Sequence, residues 1–185
     1  MSLSSTNKRF TRKTSADPAG MMLGKVPPQA RELEEAVLGA IMLEKSAFDV
    51  ATEILESQCF YVDAHQRIFK AMKTLSNKPS PIDLLTVVEE LRFNGDLEMV
   101  GGPFYVTQLT NAVVSAANIE AHCRIIVQKF IQRELIRIGG EILGEAYEDT
   151  SDVFDMLDEA EGKLFELTNN HLRKNFDTVE NVVAK

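Results

Sequence analysis

The chain has 185 residues, of which 44% are hydrophobic and 26% charged, and its formal net charge at pH 7 is −8. Such a composition is ordinary for a globular protein with one core domain and room for an appendage. The acidic balance argues against a dedicated nucleic-acid-binding surface, which is normally basic, and no run of about 18 apolar residues predicts a membrane span.

The first 25 residues differ from the rest of the chain in charge and in pattern. Five lysines and arginines face one aspartate there, so this stretch carries +4 and the remainder of the chain carries −12. The stretch is rich in serine and threonine and shows no apolar period. We therefore predict a disordered basic tail over residues 1–25.

After the tail, apolar residues recur at helical spacing almost everywhere, and they predict three helices before residue 80. The first is expected to open at Pro27-Pro28, because proline suits the first turn of a helix. The second is expected to start after Ser46, and the third to have Asp63 as its N-cap.

A fourth helix is predicted within the segment SPIDLLTVVEELRFNGDLEMVGG, residues 80–102. Ser80 is expected at its N-cap, with Pro81 in the first helical position and Asp83 as the acid of a capping box. The pair Asn94-Gly95 is expected to stop this helix, since glycine readily adopts the left-handed conformation of a helix end.

A short helix followed by two long ones is predicted beyond residue 102. The short helix is expected around Tyr105, although FYVTQL also alternates as a strand does. Helical spacing then continues from Asn118 to about Tyr147, over about 45 Å of helix at 1.5 Å per residue. The second long helix is expected from Asp152 to about Leu172, with Ser151 as its N-cap, and its predicted inward-facing residues are Val153, Leu157, Ala160 and Leu164.

The short polar link YEDTSD between the two long helices predicts an antiparallel hairpin. A lone hairpin cannot bury both of its apolar stripes, so it must lie on the first helices or on another chain. Gly139-Gly140 in mid-helix, which costs about 1 kcal/mol per glycine relative to alanine, indicates either close approach by a partner helix or a kink. The predicted fold is all-α: a compact helical head over residues 26–116, then a long antiparallel helical hairpin over 117–172.

No part of the sequence carries a convincing catalytic constellation. GMMLGKV has only three residues between its glycines, Val26 follows its lysine and no strand precedes it, so it does not fit a phosphate loop. His122 and Cys123 point about 100° apart on a helix, and no second pair completes a metal site. We expect no catalytic, cofactor-binding or metal-binding residues, and we interpret the chain as an interaction module. A small metal-dependent hydrolase on a helical bundle is the enzymatic alternative.

Four segments together resemble the N-terminal domain of the bacterial replicative DNA helicases of the DnaB type. They are VPPQARELEEAVLGAIML, FYVDAHQRIFKAM, SPIDLLTVVEELRFNGDLEMVGG and SAANIEAHCRIIVQKFIQRELI. They occur in the family's order and with similar spacings, from Val26 to about Asn170. The resemblance implies a helical head with a hairpin. It also implies a fragment without the ATPase motor, in which residues 173–185 begin the linker to that motor.

The resemblance further implies partners and a setting. In the family, six copies form a collar in which hairpins pair as a trimer of dimers, and primase and a helicase loader bind the helicase. The fragment would not be an enzyme, whereas the full-length parent would use ATP and Mg to unwind DNA at the replication fork in the cytoplasm. Single-stranded DNA would be bound only by the full ring. The alternative is the helicase-binding C-terminal domain of a primase, whose head and hairpin are similar.

Two sets of candidate site residues follow. By resemblance, Glu32, Tyr105, Ile136 and Ile142 fall where the family couples the head and the hairpin to primase. Equally, Tyr105 would pack in the head, and Ile136 and Ile142 in the hairpin. The residues expected to form the interface between hairpins are Val127, Phe130, Ile131, Leu135, Ile138, Gly139, Gly140, Val153, Leu157 and Leu164.

Overall fold

A computed structural model of the chain describes residues 24–78, 80–111, 116–148 and 152–171. Within these ranges the chain is helical and forms no strand, so the predicted all-α fold is confirmed and FYVTQL is part of a helix. The predicted tail, apart from its last two residues, and the predicted linker over 173–185 lie outside the described residues.

Seven α-helices are described, and the two longest are those of the predicted hairpin. Among the described residues, no helix is both long enough and apolar enough to cross a membrane. Single 3-10 turns occur at Ser57–Cys59 and Ala116–Asn118. The α-helices are α1 (Arg31–Leu43), α2 (Lys45–Ile54), α3 (Asp63–Asn77), α4 (Leu84–Phe93), α5 (Gly102–Asn111), α6 (Ile119–Ala146) and α7 (Val153–His171).

The start of α4 differs from its prediction, because Asp83 rather than Ser80 is the N-cap. One carboxylate oxygen of Asp83 accepts hydrogen bonds from the amides of Leu85 and Thr86, both at 2.9 Å. The Thr86 hydroxyl in turn accepts from the Asp83 amide at 3.0 Å, which completes a capping box. The prediction placed the cap three residues too early, because an acid in this sequence context serves equally well as the cap itself.

Other helix starts are also shifted by a few residues. Helix α1 begins at Arg31, after Pro27-Pro28 rather than at it, and α3 has Val62 at its N-cap, so that Asp63 lies inside the first turn. At the start of α7, the Asp152 carboxylate accepts a hydrogen bond from the Phe154 amide at 2.8 Å. Asp152 therefore caps α7, and the predicted cap Ser151 lies outside the described residues.

One apolar core holds the head together, and α1 to α5 and the first half of α6 all contribute to it. The largest fully buried side chains include Phe60 and Phe69, whose ring centroids lie 5.0 Å apart. From α6 the core takes Ile119, Cys123, Ile126, Val127 and Phe130. The first helix of the hairpin is thus also a helix of the head, which fixes the direction in which the hairpin leaves it.

The second half of α6 packs against α7, and this contact leaves most apolar residues of α7 exposed. No described side chain of α7 is buried, and Met156, Ala160, Lys163 and Leu167 are only partly covered. The prediction that Val153, Leu157 and Leu164 face inward is wrong for this chain: they are 61%, 58% and 42% exposed. The inward-facing row is displaced around the helix, with Ala160 as its one correctly predicted member.

Candidate protein-interaction surfaces

A chain of hydrogen bonds crosses the head from α1 through α3 to α5. Glu34 of α1 is 1% exposed and accepts hydrogen bonds from the amides of Tyr61 (2.7 Å) and Val62 (3.3 Å), just ahead of α3. Its second carboxylate oxygen lies 2.7 Å from Nδ1 of His65. On the other side of the imidazole, Nε2 lies 2.7 Å from the Tyr105 hydroxyl, and the two rings are within 9° of parallel. Both ring nitrogens of His65 are thereby occupied.

One assignment of donors and acceptors satisfies every group of this chain: His65 donates from Nδ1 to Glu34 and accepts the hydroxyl proton of Tyr105 at Nε2. Burial raises the pKa of Tyr105, and the negative charges of Glu35 and Glu34 raise it further, whereas the positive charge of Arg31 lowers it. The net shift of the pKa is upward, so the hydroxyl keeps its proton at neutral pH. Tyr105 is therefore partly buried, and its polar end is used inside the head.

Arg133 ties α6 to the segments that precede α1 and α3. Its guanidinium donates hydrogen bonds to the carbonyl oxygens of Pro28 at 2.9 Å and Cys59 at 2.7 Å. The same group lies 5.5 Å from the ring centroid of Tyr61 and 5.7 Å from that of Phe130. A planar guanidinium that bridges two carbonyls and two rings positions the hairpin relative to the head.

Of the four residues expected to couple to primase, Glu32 lies in the first turn of α1, and Tyr105 is linked to that helix through His65 and Glu34. Glu32 is exposed in that turn, and Tyr105 is close enough to its neighbour Arg31 for the arginine's charge to lower the pKa of the tyrosine. Ile136 is 44% exposed and lies one turn beyond Arg133, which contacts the segment just before α1. Ile142 is partly buried and lies farther along α6.

The residues expected at the hairpin interface divide into two groups. Val127, Phe130 and Ile138 are buried within the chain, and Ile131 is partly buried against the head core. Exposed are Gly139, Gly140, Leu135, Val153, Leu157 and Leu164.

The residues of the exposed group are accessible to another molecule. A Cβ added at Gly139 or Gly140 would meet nothing within 4 Å, so none of the described helices packs closely against them, and α6 runs through them without a break. Phe154 and Phe165, which are 78% and 60% exposed, extend the apolar face of α7. The sequence reasoning missed both, although their spacing of three helical turns places them on one side.

Charged side chains join α6 to α7. Lys163 of α7 lies 2.7 Å from Glu159 in its own helix, and across the hairpin it lies 3.2 Å from Glu141 and 3.7 Å from Glu145. Hydrogen bonds from Arg137 and then Lys163 lower the pKa of Glu141, whereas the bonds to Glu159 and then Glu141 raise the pKa of Lys163. All these groups are partly exposed, so each pair contributes little to stability.

The described residues offer no arrangement suited to a metal ion or a nucleotide. Among them, no group of three or more His, Cys, Asp or Glu side chains is placed to hold a metal. Gly24 and Lys25 are followed by an irregular segment, and the next helix begins only at Arg31. This is not the strand–loop–helix arrangement that holds nucleotide phosphates, so this segment does not form a phosphate loop.

Comparison with known proteins places the chain in one family. Residues 26–128 match the family model described as the DnaB-like helicase N-terminal domain. Over 162 residues, the chain is 47% identical to the replicative DNA helicase DnaB of Rhodothermus marinus, an alignment that covers 88% of this chain and 17% of that protein. The chain thus spans about a sixth of the length of this curated relative.

Solved structures show the same fold. The N-terminal domain of DnaB helicase from Mycobacterium tuberculosis matches with a TM-score of 0.71 and 30% identity, over 76% of this chain and 99% of that one. A DnaB-like replicative helicase, whose structure was described with its interactions with primase, matches with a TM-score of 0.60 and 25% identity, over 82% of this chain and 35% of that one. The family match favours the helicase domain over the primase alternative, and the chain belongs to the DnaB-like helicase N-terminal domain family.

Proposed function

We propose that this chain is the N-terminal, non-catalytic region of a replicative DNA helicase and serves as an assembly and docking module. In the whole protein, hairpins of neighbouring subunits would pair to build a hexameric collar as a trimer of dimers. An ATPase domain outside this chain would unwind duplex DNA with ATP and Mg and bind single-stranded DNA within the full ring. A loader would act on the same helicase, and the setting would be the replication fork in a bacterial cytoplasm.

The uncovered apolar face of α7 is the observation that carries the assembly proposal. At 100° per residue, its members fall within about 120° of the helix surface, so they form one stripe. Burying a leucine or phenylalanine side chain from water yields about 1.5–3 kcal/mol, and monomeric proteins rarely leave such stripes open. The members are Val153, Phe154, Leu157, Leu164 and Phe165, all between 42% and 78% exposed.

The uncovered face of α7 also suggests how the chain is divided between assembly and docking. We propose a head over residues 26–116 and a hairpin over 117–172, preceded by the basic tail and followed by the start of a linker. The head and the first half of α6 share one core, so the division separates two roles rather than two independent folding units. The exposed outer hairpin serves assembly, and the head together with the adjoining part of α6 serves docking.

Primase is the proposed partner of the surface around the first turn of α1. A solved relative at 25% identity was described with its interactions with primase. In this chain the proposed residues come from three helices: Glu32 from the first turn of α1, Tyr105 from α5, and Ile136 and Ile142 from α6. A surface built from head and hairpin together can sense how the two are arranged, which would let primase binding and collar geometry influence each other.

Mass in solution across a range of concentrations tests the assembly proposal. We expect the chain to form a dimer or a larger assembly, and Leu157→Asp to shift it to a monomer because it places a charge in the proposed contact. Leu157 is a better probe than Ile131, which packs against the head core, so a charge there would unfold the head.

Leu85→Asp is the matched control, because Leu85 is a 75% exposed leucine in α4 of the head. Its assembly should equal that of the unmodified chain. A monomer at every concentration would refute pairing through the hairpin in this chain. Equal loss of assembly in both variants would show that the effect of the charge is not specific to α7.

A further inference from the structure

The ring of Tyr105 is oriented by His65 although part of it faces solvent. Its hydroxyl bonds to His65 Nε2 at 2.7 Å, and the two rings are nearly parallel. The turn before α5 leaves room for the tyrosine, because a Cβ at Gly101 would lie 3.2 Å from the Tyr105 Cβ, and the φ of +98° there suits glycine. The bond to α3 is therefore the contact that sets the orientation of this side chain.

The support behind His65 is itself rigid. Glu34 cannot turn away from the imidazole without breaking its two bonds to the Tyr61 and Val62 amides, which belong to the segment that starts α3. Glu34 and His65 are 1% and 0% exposed, so water cannot readily replace a lost partner. Nothing in the proposed docking role requires a buried carboxylate and imidazole, and a core of this kind is normally apolar.

We propose that Glu34 and His65 are positioning residues for the primase-binding surface: the buried chain of hydrogen bonds sets the orientation of Tyr105 beside the first turn of α1. This inference rests on the proposed function, because it names what prepares the same surface for its partner. Glu34 belongs to α1, two residues after Glu32, so one side chain fixes both the tyrosine and the turn next to it. The partner then meets a surface that is already arranged, and its binding does not have to order the tyrosine.

The size of the effect follows from the number of orientations that open to Tyr105. A tyrosine in a helix that is released from His65 has about two staggered χ1 positions, because the third clashes with the preceding turn. If only one of them is competent to bind, the apparent affinity falls by about twofold or more. A purely structural histidine would instead lower stability and leave the affinity of the folded protein unchanged.

The test is a double-substitution cycle with His65→Asn and Tyr105→Phe in the full chain. An asparagine can keep the Nδ1-type bond to Glu34 while it loses the bond to Tyr105. Binding to the helicase-binding C-terminal domain of the cognate primase is measured by titration calorimetry, and the aromatic NMR signals of Tyr105 are followed in the same samples. We expect His65→Asn to weaken binding about twofold or more and to change the Tyr105 ring signals. In the Tyr105→Phe background, the added His65→Asn substitution should cause a much smaller further loss of affinity, because the bond between the two side chains is already absent.

Leu75→Ala is the stability control. Leu75 is a core residue of α3, so its truncation should lower the stability of the protein without lowering its affinity for primase. Parent-like affinity or parent-like Tyr105 signals in the His65→Asn variant would overturn the inference while the proposed function stands. Equal losses of affinity in His65→Asn and Leu75→Ala would overturn it as well. If the unmodified chain itself does not bind primase, the docking proposal fails and the inference fails with it, and the NMR signals then report only on packing in the head.

Discussion

At the scale of single residues, Arg133 holds the long helix α6 on the head. Arg133→Lys should lower the free energy of unfolding by about 1–2 kcal/mol. The reason is geometric: a lysine carries one ammonium group, which cannot reach both the Pro28 and the Cys59 carbonyls, and it lacks the plane that stacks on Tyr61. Urea denaturation followed by circular dichroism measures the change.

Arg124→Lys is the control on the same helix. Arg124 pairs with Glu120 one turn away at the surface, so its replacement should change the unfolding free energy by less than about 0.5 kcal/mol. If both lysine variants lose the same stability, the two carbonyl bonds of Arg133 are not what anchors α6.

The residues that organise the candidate site were not predictable from sequence patterns. Glu34 stands next to Glu35, and such an acidic pair by itself indicates a solvated helix face. Glu34 is nevertheless buried, because its partners lie 27 and 28 residues away before α3 and 31 away at His65. Arg133 reaches carbonyls 74 and 105 residues distant. Periodicity reports which face of a helix is buried, but it does not report which polar side chain on that face finds a partner across the core.

At the scale of elements, the cap of α4 separates the predicted helix start from the observed one. Asp83→Ala should destabilise the protein by about 1 kcal/mol, because it leaves the Leu85 and Thr86 amides without their acceptor. Ser80→Ala, at the predicted cap, should change stability by less than about 0.5 kcal/mol. Thermal unfolding of the two variants and of the unmodified chain measures the difference. If Ser80→Ala lost more stability than Asp83→Ala, α4 would start at the residue that the sequence alone suggested.

The existence of the helices was predictable from the sequence, whereas their exact first residues were not. An apolar repeat over ten or more residues averages out local errors, so both long helices were expected within a few residues of their observed ends. A start depends on one side chain, and the segment around α4 offers both Ser80 and Asp83. On α7 the repeat located the helix but not its covered side, because half-exposed apolar residues occur on two adjacent faces.

At the scale of the whole molecule, two regions differ in how they are held together. The head has a continuous apolar core that includes Phe60, Phe69 and Ile126. The outer hairpin has only partly covered side chains on α7 and partly exposed ion pairs between α6 and α7, around Lys163 and Glu141, and each of these pairs contributes little to stability. The pKa of Glu141 is lowered in the folded state, so its contribution is present above the ordinary glutamate pKa and is lost as the pH falls through the lowered one. The hairpin end therefore opens more readily than the head, which suits a surface that awaits a second subunit.

Amide hydrogen exchange on dilute protein at neutral pH should reveal these two regions. Relative to their intrinsic rates, amides of α7 should exchange on the order of tenfold or more faster than those of α3, because α7 can leave α6 without exposing the head core. Glu141→Gln should speed up α7 further, by removing one charge opposite Lys163, and leave α3 unchanged. At concentrations where the chain associates, α7 should become protected as the second copy covers its apolar face. Equal protection of α7 and α3 in dilute monomer would contradict this, because it would require the hairpin and the head to open together as one cooperative unit.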